Sequence, residues 1–206
     1  MQPIGPLMIE HRLIERLLSL MAREFRRIKD NVAVDPEFAF VDPVFIDTAV
    51  DFIRTYADRC HHGKEEARLF PLLERRGIGC ERGPIGVMLS EHDTGRRHVL
   101  AMVENLPAAE RGEARAKAQF LEHAQEYVQL LSEHIQKEDG CLFPMANNVL
   151  SAADQQALMA TFEQVEREEM GAGAHERLHA LADELCERWK VPTSEGVCAH
   201  HCSGHS

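Results

Sequence analysis

The phrase HHGKEEARLFP, residues 61–71, returns as HIQKEDGCLFP at 134–144. Laid over each other at an offset of 73 positions, the two share His, Lys, Glu, Leu, Phe and Pro in register. A chain that writes one phrase twice is expected to place it twice, in two related halves. Ten residues before each Pro stands a His, His61 or His134, and six before each stands a Glu, Glu65 or Glu138. His and Glu four apart project from one face of a helix. Pro71 and Pro144 interrupt otherwise helical patterns. Each removes a backbone hydrogen bond and predicts a kink, at a cost of roughly 3 kcal/mol in an undisturbed interior.

Around these phrases the helical period dominates. Leu7, Ile14, Leu17, Leu18, Met21, Phe25 and Ile28 predict a helix over 7–30. Asp35-Pro36 marks a loop, and Asp42-Pro43 reads as an N-cap with Pro at the first helical position. A second helix is expected over 43–76, ending near Gly77 and Gly79. Gly83-Pro84 opens a third over 84–105, closed by Asn105-Leu106-Pro107, and a fourth covers 111–149. Ser151 caps a fifth over 152–170, and Gly171 and Gly173 separate it from a sixth over 174–190. No sustained apolar/polar alternation bounded by turn residues suggests a strand. The expected fold is all-α: an up-down-up-down four-helix bundle over 1–150, a C-terminal helical extension over 151–190, and a disordered Cys/His-rich tail over 191–206.

A net charge of −11 argues against a nucleic-acid partner, which rewards clustered Lys and Arg. No stretch approaches the ~20 apolar residues that cross a bilayer, and the start lacks the basic-then-apolar pattern of a secretory signal. The six cysteines read as reduced thiols, because Cys60 and Cys141 fall inside expected helices. The chain therefore reads as cytoplasmic, with its oligomeric state left open.

A bundle interior that receives His-x-x-x-Glu from two helices is a known way to hold two metal ions. Helix one offers His11 at the edge of its apolar stripe, and helix three offers His92 on its apolar face. His98, roughly 240° further round, is expected to face solvent. Imidazoles and carboxylates without a thiolate suit iron or manganese. Tyr127, on the face of His134, is either a hydrogen-bond donor behind the site or a boundary tyrosine; His123 on that face is three turns too far. His175 and His179 read as a solvated face. Cys198, His200, His201, Cys202 and His205 are dense in ligands but lack a set geometry.

In the order His11, His61-x-x-x-Glu65, His92, His134-x-x-x-Glu138, the chain resembles the hemerythrin-like HHE cation-binding domains over roughly residues 7–150. The resemblance implies two Fe ions in an oxo- or hydroxo-bridged non-haem di-iron centre, with His11, His61, Glu65, His92, His134 and Glu138 as metal ligands and the two glutamates bridging. It implies a protein that binds or senses dioxygen, nitric oxide, peroxide or iron itself. The alternatives are a di-iron enzyme (peroxidase or nitric oxide reductase) or an iron–sulfur repair protein that donates iron. Two departures stand out. Oxygen-carrying members use His-x-x-x-His on the third helix, whereas the residue four after His92 is Arg96, which cannot ligate. His62 either replaces that imidazole or stands beside the site as a boundary histidine. Oxygen carriers also space their last pair as His-x-x-x-x-Asp, which Asp139 fits. The internal repeat favours Glu138, with Asp139 in reserve and Glu66 as the parallel reserve to Glu65.

Overall fold

The structure is a computed structural model that describes residues 4–34, 43–80 and 83–169, with the isolated positions 171, 173, 180 and 183. The loop at Asp35-Pro36, the Asp42 cap, the expected sixth helix apart from positions 180 and 183 (with His175 and His179), and the Cys/His-rich tail lie outside the described residues. Every regular element among the described residues is helical. No helix among them is long and apolar enough to cross a membrane.

Helix α1 spans Ile4–Val34, a turn more at each end than its expected range. Its apolar stripe begins at the buried Ile4 and runs through Leu7, Ile14, Leu18, Met21, Phe25 and Ile28. The second long helix, 43–75, is unbroken but not uniform: α2 (Pro43–Phe52), π1 (Ile53–His62), π2 (Glu65–Leu69) and α3 (Phe70–Arg75). Helix α4 is Pro84–Glu110. The fourth long helix, 114–149, comprises α5 (Ala114–Lys137), π3 (Glu138–Leu142) and α6 (Phe143–Val149). Helix α7, Ala152–Glu169, follows.

The expected kinks at Pro71 and Pro144 take the form of π turns. Pro71 has no N–H for the Ala67 carbonyl, and its ring crowds that oxygen. The helix widens just before it, and Phe70 N–H bonds to the Glu65 carbonyl five residues back. Phe143 N–H bonds to the Glu138 carbonyl in the same way ahead of Pro144. Each Pro then occupies the first turn of the α-helix that follows, where a missing donor costs little. In both halves the wide turn starts on the candidate glutamate, in keeping with the frequency of π turns at functional sites.

Helix α4 runs through Pro107 rather than ending at 105. Leu106 and Ala108 pack against the core and Ala109 is buried, which outweighs one missing bond near a helix end. The chain reverses at Gly112, whose φ of 90° is open to glycine at little cost, and Gly77 at 93° ends the 43–75 helix in the same way. Ser151 opens α7 through a reciprocal pair. Asp154 N–H donates to Ser151 Oγ at 3.2 Å, and Ser151 N–H donates to Asp154 Oδ2 at 3.0 Å.

The apolar interior falls into two clusters. Along α1 one ends at Leu7 and the other starts at Leu13. On the second long helix the gap lies between Ala57 and Leu69, and on α4 between Met88 and Val99. A polar layer therefore crosses the bundle at one level. Leu69, Phe70, Leu142 and Phe143, the Leu-Phe of both phrases, share the cluster beneath it with Leu158 and Phe162 of α7. The repeat thus recurs because both copies build one floor.

Candidate metal centre

The seven residues singled out in the sequence meet in that layer, each buried. His11 Nε2 stands 2.9 Å from His61 Nε2, and His92 Nε2 stands 3.0 Å from His134 Nε2. Glu138 Oε2 lies 3.2 Å from His11 Nε2 and 3.4 Å from His134 Nε2. Glu65 places Oε1 at 3.6 Å from His61 Nε2 and Oε2 at 3.5 Å from His92 Nε2. Each carboxylate therefore faces both imidazole pairs. Two quartets result: His11, His61, Glu65 and Glu138, and His62, Glu65, His92 and His134, each with its donor atoms within 4.8 Å of one another.

A second set of carboxylates orients the rings. His61 Nδ1 contacts Glu10 at 2.7 Å, His134 Nδ1 contacts Glu91 at 2.9 Å, His11 Nδ1 contacts Asp139 at 2.7 Å, and His92 Nδ1 contacts Glu66 at 2.7 Å. These partners assign the ring proton to Nδ1 and turn the Nε2 lone pair inward. Every outer carboxylate has its own cation: Lys64 on Glu10, Lys137 on Glu91, Arg12 on Asp139 and Arg96 on Glu66. The floor repeats too. His11 stacks on Phe143 at 5.3 Å and 10°, and His92 on Phe70 at 6.0 Å and 19°. Glu66 and Asp139, the reserve ligands, thus occupy the outer set. Sequence reasoning missed Glu10 and Glu91, whose signal was a Glu-His pair at 10–11 and again at 91–92.

The inner set fits a pair of cations. Both carboxylate oxygens of Glu65 and of Glu138, and both ring nitrogens of His62, are buried without a hydrogen-bond partner. Leaving such groups unsatisfied costs several kcal/mol. Without a cation, one proton per imidazole pair is the remaining way to join lone pairs facing across 3 Å. The titration follows that pattern. Burial depresses His61 to about 4, while Glu138 and Glu91 overcome burial to lift His134 to about 9. Burial lowers His92, whereas Asp139 and Glu138 overcome burial to raise His11. Burial and the neighbouring Glu138 push Glu65 far above the usual carboxylate range; against burial, His134 and His11 hold Glu138 well below it. Ligation needs all four rings neutral, so metal uptake expels these protons and weakens in acid.

The two quartets have different surroundings. Lys64 is fully buried beneath α7, where it meets Glu166 at 2.5 Å and lies 5.9 Å from the centre of the Phe162 ring. Its counterpart Lys137 is 42% exposed. The His92–His134 side instead borders a cavity of about 290 Å³ walled by Ile53, Gly95, Val99, Tyr127 and Leu131, with Arg96 at its edge. His62 lines this cavity, its ring stacked on His92 at 3.8 Å and 16°. Arg96 is tied to Asp58 at 2.8 Å and to Glu66 at 2.7 Å, so it braces the outer set. Cys60, Cys80 and Cys141 form no disulfide, and none belongs to either quartet.

A family model described as the hemerythrin HHE cation binding domain matches residues 2–146. Relatives among curated proteins include uncharacterized proteins of Mycobacterium bovis and Mycobacterium tuberculosis, each 25% identical over 179 residues. The match covers 86% of this chain and 66% of each relative, so the chain spans just under two thirds of their length. No solved structure matches.

Proposed function

Because the chain belongs to the hemerythrin HHE cation-binding domain family, we propose that it is a non-haem di-iron protein that binds or senses a small oxidant, dioxygen, nitric oxide or peroxide. His11, His61, Glu65 and Glu138 would hold one iron, and His92, His134, Glu65 and Glu138 the other, with His62 in reach of the second. An iron pair would supply the two-electron redox chemistry that imidazoles and carboxylates lack. The observation that carries the reading is the cavity beside His62, His92 and His134. Its mostly aliphatic wall suits a small molecule, and the charges in its lining balance, Arg54 and Arg96 against Asp58 and Glu91. Neutral His62, whose Nδ1 lies 3.5 Å from Asp58 and whose Nε2 has no hydrogen-bond partner, is available to orient an incoming ligand.

Anaerobic purification with iron quantification, followed by optical spectra on exposure to oxygen, nitric oxide and azide, tests this. Two irons per chain and a near-ultraviolet band that shifts with azide are expected. Protein that takes up no iron, or iron whose spectrum ignores every ligand, would overturn the reading. Sustained turnover of peroxide or nitric oxide by the reduced protein would make it an enzyme instead.

The cavity also has its own test. A Cβ at Gly95 would meet Tyr127 at an ordinary 3.5 Å, and Gly95 lines the cavity, so Gly95→Leu is the substitution chosen to narrow it. Stopped-flow binding of nitric oxide is expected to slow by about tenfold, a barrier increment of about 1.4 kcal/mol, with iron content unchanged. An unaltered rate would mean that ligands enter elsewhere.

A further inference from the structure

Away from the bundle centre, on the outer side of α4 and α5, three more donor atoms converge. His98 Nδ1 is 3.2 Å from His123 Nδ1, and Glu126 Oε2 is 3.3 Å from the first and 3.5 Å from the second. The rings are tilted by 49° with centroids 5.4 Å apart, so both nitrogens face one point rather than stack. Hydrogen bonds serve this triangle poorly. With a proton on both nitrogens the two N–H groups, 3.2 Å apart, can only share Glu126 Oε2 over long contacts of 3.3 and 3.5 Å, and a proton on one leaves the other two lone pairs opposed. A cation above the triangle accepts all three.

We propose that His98, His123 and Glu126 form a separate mononuclear site for zinc. Tetrahedral zinc with bonds of about 2.05 Å spaces its donors about 3.3 Å apart, in keeping with edges of 3.2, 3.3 and 3.5 Å, and exposure of the cluster leaves the fourth position to water. Two imidazoles and one carboxylate, with a fourth position open to water, are a ligand set that zinc takes in mononuclear sites. The ion would join α4 to α5, the two helices that present His92 and His134, and act as an external clip on that side of the bundle. Helical spacing placed His98 and His123 individually outside the main centre; only the packing of α4 on α5 brings them together.

The test is calorimetric titration of the iron-loaded, full-length protein with zinc chloride, alongside His123→Ala and Glu126→Gln. Wild type is expected to take up one zinc equivalent that His123→Ala lacks and that Glu126→Gln binds at least about a hundredfold more weakly. The Cys/His-rich tail is identical in all three chains, so zinc held there cancels from the difference. Cobalt gives a second readout: the wild-type minus His123→Ala spectrum should show the comparatively intense visible d–d bands of a tetrahedral ion without a thiolate charge-transfer band. Identical isotherms for wild type and His123→Ala, or a thiolate band in that difference, overturn the site. These positions are partly exposed, at 18%, 32% and 51%, so the variants should keep their iron content.

Discussion

Glu65→Ala is expected to release both metal ions at once. Glu65 belongs to both quartets, with one oxygen turned to His61 and the other to His92. Removing it takes a ligand from each ion and opens a void between them. Glu66→Ala is the contrast. Of the candidate ligands Glu66 touches His92 alone, at Nδ1, besides its pairing with Arg96, so its loss should weaken one position by about 10–100-fold. The metal-free Glu65→Ala protein is expected to unfold no more easily than metal-free wild type, because the carboxyl it loses has no hydrogen-bond partner. What disappears is the stabilisation that wild type gains from iron, which grows as RT ln(1 + [L]/Kd). Iron per chain and melting temperature with and without iron read both effects. A variant that keeps one ion at native affinity would show that Glu65 is not shared.

The parts of this centre that were legible in the sequence are those whose signal is local. His61 with Glu65 and His134 with Glu138 are spaced for one helix face, and their common offset to a Pro aligned them. The helical period likewise ran along each stretch, and Gly77 and Ser151 marked ends that the structure keeps. What was not legible depends on a partner from another helix. Glu10 reads as a solvent-facing charge until His61 and Lys64 are packed against it. Glu66 and Asp139 could be ranked below Glu65 and Glu138 but not given work, because that work is to hold rings from α4 and α1. The prolines announced a break in the ladder, but a π turn and a kink both accommodate a missing donor, and the local sequence does not distinguish them. Pro107 announced an end that burial of Ala109 overrides.

The repeat makes its sharpest prediction where its halves differ. Lys64 and Lys137 occupy the same place in the phrase and do the same thing, each neutralising the glutamate that orients a histidine. Their surroundings set different consequences. Lys64 is fully buried between Glu10 and Glu166; Lys137 reaches water. Lys64→Met is expected to destabilise the protein by about 3–5 kcal/mol, the cost of leaving a buried charge without its partner. Lys137→Met should cost about 0–1 kcal/mol, as for an exposed pair. Most of the Lys64 penalty falls on Glu10, because Glu166 is 37% exposed and can turn to solvent, while Glu10 is 2% exposed and cannot. Methionine keeps the length of the lysine stem against Phe162, so lost packing contributes little. Urea unfolding of the two metal-free variants measures the difference, and metal-free protein keeps ligand binding out of the comparison. Equal losses would mean that α7 does not seal Lys64 in solution. The asymmetry between a covered His11–His61 side and an open His92–His134 side would then go with it, since both rest on where α7 lies.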